Sequence, residues 1–368
     1  MDFELITPED KAFAEECFKD LYQGKIIPAE KKPYVADLRH SFGPYLGVQT
    51  REGKTRYILD AASQIATLGF GFNPLSFFGS AHHLDSYLED HHSKEFAELK
   101  DSYRQFFKRI LKRQNFSLNF CHSGAEANEL ALGDAFAKRK HSEQKKVLAF
   151  EGSFHGRMQI TLSSTWNKSK RAPFEWPDFL TTFLPYPEEK NGEIDKPAPA
   201  GWLAFWDEYA VSEIEVPSSF LKLFKADQTL TEEVEVLKKV HEELKNQEYF
   251  CLMIEPMQCE GGDRYSTARF HQALVLLCRH HHVKIIYDEV QTGFHLGREF
   301  FWHQKLGLTK YENVNLSPDY IVCAKKAQIG LCISFEKIKR RFPEYANSSA
   351  IRGYYHAFML DQHHEEIL

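Results

Sequence analysis

Five short apolar runs, most of them followed by a stretch with helical spacing, constrain this chain more than any other feature. "FSLNF" (116–120) precedes "GAEANELALGDAFAKRK", where Ala127, Leu130, Ala131, Asp134 and Ala135 recur at helical intervals. "KVLAF" (146–150) runs into the turn "EGSFHGR". "YFCLMIEP" (249–256) precedes a turn with Gly261-Gly262 and then the helical "TARFHQALVLLCRHHH". "VKIIYDEV" (283–290) and "DYIVCAKK" (319–326) complete the set. Strands apolar on both faces, separated by helix-length segments, predict an α/β fold built on a mostly parallel sheet flanked by helices. Such sheets bind ligands at the carboxyl ends of their strands. Chemistry-bearing residues lie there: Ser123-Gly124-Ala125, Phe154 to Arg157, Glu255 and Glu260, Asp288 and Gln291, and the pair Lys325-Lys326.

At 368 residues the chain is long for one core and predicts a large domain plus a smaller one. Its net charge of −6 gives no reason to expect nucleic acid or an acidic membrane as partner. The acids in "MDFELITPEDKAFAEECFKD" stand where a signal peptide carries bases, so a cytoplasmic location is expected. Seven cysteines form no C-x-x-C pair and are expected as free thiols. The histidine pairs and the triplet His280-His281-His282 are adjacent in sequence and point apart on a helix, so no metal site is expected. "PYLGVQTREGKTRYILDAAS" predicts a small meander turning at residues 51–54, and residues 185–232 read as an irregular surface excursion and a possible subunit contact.

The turn "CHSGAEANE" passes from strand to helix at Ser123, Gly124 and Ala125, where free N–H groups and the helix dipole favour an anion such as phosphate. It is neither G-x-G-x-x-G nor a Walker loop, which argues against a nucleotide. Asp288 ends a buried strand and must be solvated or paired with a cation, for which a protonated pyridine nitrogen is suited. Gln291 is placed to bond a ring oxygen, and Phe154 to stack on a planar ring. Arg157 offers a two-pronged donor for a substrate carboxylate. A desolvated lysine amine has a lowered pKa and adds to an aldehyde. Phosphate cradle, aromatic face, ring-nitrogen acid and reactive lysine together specify pyridoxal 5′-phosphate.

"SGAEANE", "GSFHGR", "IEPMQCEGGD", "YDEVQTGF" and "KKAQIG" resemble, in order and approximate spacing, the class III aminotransferases of the type I pyridoxal-phosphate fold. "TLSSTWNKSKRAPFEWPDF" and "EGGDRY" are most similar to lysine 6-aminotransferase and its 4-aminobutyrate aminotransferase relatives. The resemblance implies a large cofactor-binding domain over 76–330, an N-terminal small-domain segment over 1–75, and an incomplete α+β small domain over 331–368. It implies that Ser123, Gly124 and Ala125 hold phosphate, that Phe154, Asp288 and Gln291 hold the ring, and that Arg157 binds a substrate carboxylate. Glu260 matches an acid that gates the site, and Glu255 another acid position. Lys326, four residues before Gly330, is the expected Schiff-base lysine, with Lys325 pointing the other way. The implied reaction is ping-pong transfer of a terminal amino group, from a donor such as L-lysine to 2-oxoglutarate, in a homodimer. "SSAIRGYYHAFMLD" holds no counterpart of the family's phosphate-binding threonine, and the family's arginine partner for the gating acid is not found. Those departures make a non-catalytic cofactor-binding remnant one competing reading; a semialdehyde aminomutase or racemase, which keeps the same lysine and acid, is the other.

Overall fold

The computed structural model describes residues 35–49, 54–61, 66–69, 71–73, 94–174 and 181–338. The chain divides into two compact units, the boundary falling between Ala97 and Glu98. In the first, β1 (Val35–Ala36), β2 (Tyr45–Gln49) and β3 (Thr55–Leu59) form an antiparallel meander, as "PYLGVQTREGKTRYIL" predicts. Leu46, Val48 and Phe72 bury together beneath it, with Ile58 and Leu68 against them.

The second unit carries the large sheet. In chain order, α1 (Lys94–Leu111) leads to β4 (Ser117–Cys121), α2 (Gly124–Ala137), β5 (Lys146–Phe150) and β6 (Thr181–Leu184). Then come α3 (Trp202–Ser212), α4 (Ser218–Phe224), α5 (Gln228–Lys245) and β7 (Tyr249–Ile254). The hairpin β8 (Met257–Gln258) and β9 (Arg264–Tyr265), α6 (Ala268–His280) and β10 (Lys284–Asp288) follow. A second hairpin, β11 (Lys310–Tyr311) and β12 (Val314–Asn315), leads to β13 (Tyr320–Cys323) and β14 (Gly330–Ser334). The sheet order is β4-β14-β13-β10-β7-β5-β6. Strands β13, β10, β7, β5 and β6 pair parallel, and β14 runs antiparallel between β13 and β4. The boundary drawn from the sequence at residue 331 falls inside β14.

Both sheet faces are apolar because strand residues alternate between two cores. Ile286, Met253, Cys251 and Val322 face Ala127, Ala131 and Ala135 of α2, whose small side chains let the helix lie close. Ile285, Tyr287, Leu252 and Ile254 face α3, α5 and α6 through Trp206, Leu237, Phe270 and Leu274. Each fully buried side chain of this size stabilises by roughly 1.5–3 kcal/mol.

Here one expectation is corrected. Residues 185–232 are no irregular surface excursion: α3 and α4 lie within them, and Trp202, Phe205, Trp206, Tyr209 and Phe220 belong to the main core. The aromatics recur every three or four residues, which is a helical stripe. The prolines that seemed to forbid order instead stand outside the helices, Pro217 at the N-cap of α4. The six described cysteines are free, and no helix among the described residues is long and apolar enough to cross a membrane.

Candidate active site

The site is built at the carboxyl ends of β4, β5, β7, β10 and β13, where the strand order brings their following turns side by side. After β4, Ser123 caps α2, its hydroxyl accepting from the Glu126 N–H at 3.2 Å and its carbonyl from Ala127 N at 3.0 Å. Among the described residues, no acceptor takes the N–H groups of Gly124 or Ala125, so two donors at a 14-residue helix start point outward. Glu126 turns its carboxylate back to the His122 N–H, 2.6 Å away. Gly124 has no room for a side chain: a Cβ there would lie 2.6 Å from Val290 Cγ2. The turn after β5 is equally close, since a Cβ on Gly156 would meet Ala125 Cβ at 2.7 Å.

Asp288 closes β10 and is buried. Its Oδ2 accepts from Asn128 Nδ2 at 2.8 Å and lies 2.8 Å from His155 Nδ1; its Oδ1 accepts from Val290 N at 3.1 Å. Asn128 sits one turn into α2 and also donates to the His155 carbonyl at 3.0 Å. Neither Asn128 nor His155 was singled out from the sequence as a partner of Asp288. A polar residue on the otherwise alanine-rich inner face of α2 was the available signal for Asn128. Burial leaves His155 Nε2 and Asn128 Oδ1 without hydrogen-bond partners, a costly state that a bound polar molecule would relieve.

Glu255, directly after β7, is buried and accepts from the Phe154 N–H at 2.8 Å, which fixes the aromatic residue at the mouth. Burial, and then the nearby Asp288 carboxylate, hold the Glu255 carboxyl well above its ordinary range. Glu260 pairs with the Lys170 ammonium, which also sits 4.5 Å over the Phe154 ring. Lys170 is a further residue that sequence reasoning did not single out. Arg157 is exposed, three residues after Phe154 in the same turn.

The lysine pair divides differently from the expectation. Lys325 Nζ donates to Gln291 Oε1 at 2.6 Å, whereas Lys326 Nζ donates to the Phe294 carbonyl at 3.2 Å. Both amines are lowered in pKa by burial, but only on Lys325 do Asp288, Glu255 and Glu260 act in the opposite sense. The Lys325 amine thus lies beside Gln291 and feels the Asp288 carboxylate, while the Lys326 amine is turned to the Phe294 carbonyl. Lys326 was expected from its spacing to Gly330, with Lys325 pointing the other way along the strand. The strand stops short of the pair, β13 ending at Cys323 and Lys325–Ala327 forming a 3-10 turn. Lys325 takes φ +50°, a left-handed conformation that costs about 1–2 kcal/mol in a residue of this kind.

These groups fit pyridoxal 5′-phosphate: outward N–H donors for phosphate, a buried carboxylate for a ring nitrogen, an aromatic plate, and an amine beside Gln291. One cluster of possible metal donors occurs among the described residues, Glu213, His241 and Glu242, remote in sequence from this site. Lys245 is ion-paired to both of its carboxylates.

Residues 30–344 match the family model of class-III aminotransferases. A 4-aminobutyrate aminotransferase of Schizosaccharomyces pombe is 28% identical over 357 residues, covering 87% of this chain and 65% of the relative. An L-lysine-epsilon aminotransferase of Mycobacterium tuberculosis is 28% identical over 331 residues, covering 83% of this chain and 62% of the relative. The chain thus spans a little under two thirds of the length of these relatives. Among solved structures, the lysine aminotransferase of M. tuberculosis in its internal aldimine form superposes with a TM-score of 0.66 at 23% identity, covering 94% of this chain and 76% of that one. The fold is the type I fold of pyridoxal-phosphate-dependent aminotransferases, and the chain belongs to the class-III aminotransferase family.

Proposed function

We propose that the protein transfers the terminal amino group of a diamino or ω-amino acid, such as L-lysine, to a 2-oxo acid such as 2-oxoglutarate. The observation that carries this reading is the placement of the Lys325 amine on Gln291, within the electrostatic reach of Asp288 and Glu255. The lysine and 4-aminobutyrate aminotransferases among the relatives supply the substrate class. Pyridoxal 5′-phosphate, when bound, supplies an electron sink for the substrate carbon that loses its proton.

Each residue then has a task. Gly124 and Ala125 offer backbone N–H groups to phosphate, and Ser123 holds the helix start that presents them. Asp288 keeps the ring nitrogen protonated, itself oriented by Asn128 and His155. Phe154 supplies a flat apolar face, positioned through Glu255. Lys325 would provide the amine that condenses with the cofactor's aldehyde, and once free it would take the proton from the substrate carbon that bears the amino group. Its lowered pKa keeps a larger share in the basic form that this task needs. Arg157 meets a substrate carboxylate at the rim, and Glu260, countered by Lys170, sets the charge there. A homodimer and a cytoplasmic location complete the reading, on the strength of the family resemblance.

The test is the visible absorbance of the purified protein after loading with pyridoxal 5′-phosphate. Lys325→Ala should remove the band of the lysine-linked cofactor while Lys326→Ala retains it. Adding L-lysine or 4-aminobutyrate to wild type should discharge that band. The reverse pattern for the two variants would refute the lysine assignment, and a band indifferent to every amine would refute the transfer reaction.

A further inference from the structure

At the end of the sheet opposite the candidate active site lies a cavity of about 470 Å³. It opens between the starts of β10 and β13, the ends of β14, α2 and α6, and the loop after α1. Five lysine and arginine side chains line it, Arg113, Lys138, Lys140, Arg279 and Lys284, against the two carboxylates Asp319 and Glu336.

Pairing does not exhaust the positive charge. Lys138 is taken by Asp134 at 2.7 Å, Arg279 by Asp319 at 2.6 Å, and Lys284 by Asp319 and Glu336 at 3.1 and 3.0 Å. Arg113 is half-buried and, among the described residues, has only neutral partners: Ser317 Oγ, Asn315 Oδ1 at 3.5 Å, and the Phe335 ring at 4.2 Å. Burial lowers the pKa of its guanidinium, and no carboxylate offsets that effect. The ammonium of Lys140 meets no partner among the described residues. His282 at the rim reports the same imbalance: burial lowers its pKa first, and the charges of Lys140, His141 and His280 lower it further. A half-buried guanidinium without a counter-ion, facing a cavity with a second unpaired cation, is a costly arrangement that a bound anion would relieve.

We propose that this cavity binds a small, multiply charged, phosphate-bearing anion through Arg113 and Lys140. The guanidinium fork matches two phosphate oxygens and Lys140 adds a point charge. The volume falls within the roughly 300–1,000 Å³ of small-molecule sites. The cavity lies within a single compact unit and shares no lining residue with the candidate active site.

The experiment is calorimetric titration of the full chain with inorganic pyrophosphate, at constant ionic strength, after loading with pyridoxal 5′-phosphate to fill the cradle at Ser123–Ala125 and removal of the unbound excess. Wild type should show saturable binding. Arg113→Gln should weaken it about tenfold or more, the scale of one charge-assisted hydrogen bond. Lys140→Ala should weaken it several-fold, and Lys168→Ala, an exposed lysine elsewhere, should leave it unchanged. If Arg113→Gln does not fold, Lys140→Ala decides alone, because its exposed side chain supports no part of the structure. Absence of saturable binding, or unchanged affinity in the variants, overturns the site. Citrate binding as tightly as pyrophosphate overturns its phosphate character.

Discussion

Replacing Gly330 by alanine tests how the sheet positions the phosphate cradle. Gly330 opens β14, directly opposite Cys121 at the end of β4. A Cβ at this position would lie 2.2 Å from the carbonyl oxygen of Ser123 and 2.7 Å from its carbon, where real contacts essentially never fall under 3.0 Å. The clash is with backbone, so no side chain can swing aside; the two segments must part by about 0.8 Å. The oxygen that moves is the one accepting the Ala127 N–H at the first turn of α2. Overpacking of this kind costs about 1–3 kcal/mol, and disturbing the helix cap adds about 1 kcal/mol. The N–H groups of Gly124 and Ala125 move with the cap, and loss of one charge-assisted hydrogen bond to phosphate weakens cofactor binding roughly tenfold to a hundredfold. Urea denaturation and an absorbance titration with pyridoxal 5′-phosphate measure the two effects. Gly133→Ala is the matched control: it lies in α2, where a Cβ meets nothing within 4 Å, and should stabilise by about 0.5–1 kcal/mol. A Gly330→Ala protein with wild-type stability and cofactor affinity would show that the cradle is not set by this contact.

Two further predictions concern the core. Glu233 is buried against Arg269, and burial raises its carboxyl to about 7 despite that neighbour. The folded state therefore holds a proton that the unfolded chain releases near pH 4.5, so stability should fall as pH rises from about 4.5 through about 7; Glu233→Gln should flatten this slope in urea midpoints measured across that window. Trp206 is fully buried in α3, so Trp206→Ala should cost about 3–5 kcal/mol, while Val211→Ser on the exposed side of the same helix should stay within about 0.5 kcal/mol. Thermal or chemical denaturation of the pair distinguishes a core helix from a surface excursion.

The sheet was legible because its strands are buried on both faces and therefore read as continuous apolar runs. The edge that carries the candidate site was legible because each run is followed by residues of another character: Gly124, Phe154, Asp288 or a lysine. How the Lys325 and Lys326 side chains divide between Gln291 and Phe294 was not legible. It depends on a left-handed φ in a turn, and neither strand alternation nor distance to the next glycine encodes that angle. Residues 185–232 concealed their helices for a different reason: prolines and charges outside the aromatic stripe outweighed a stripe only one face wide. Asn128 and His155 escaped because their roles appear only when α2 and the β5 turn both meet the end of β10. The incomplete small domain beyond residue 338, the stretch 348–361 and the histidine pairs at 82–83, 91–92 and 363–364 lie outside the described residues.

Strand β14 carries a consequence of its own. Because it doubles back beside β13, the six residues from Ala324 to Ile329 form a bridge anchored at both feet in the interior of the sheet. A reactive side chain borne on such a bridge gives up its backbone freedom when the chain folds, not when the substrate arrives. The backbone beneath Lys325 then needs no new ordering when a ligand arrives, while the side chain keeps its own rotations.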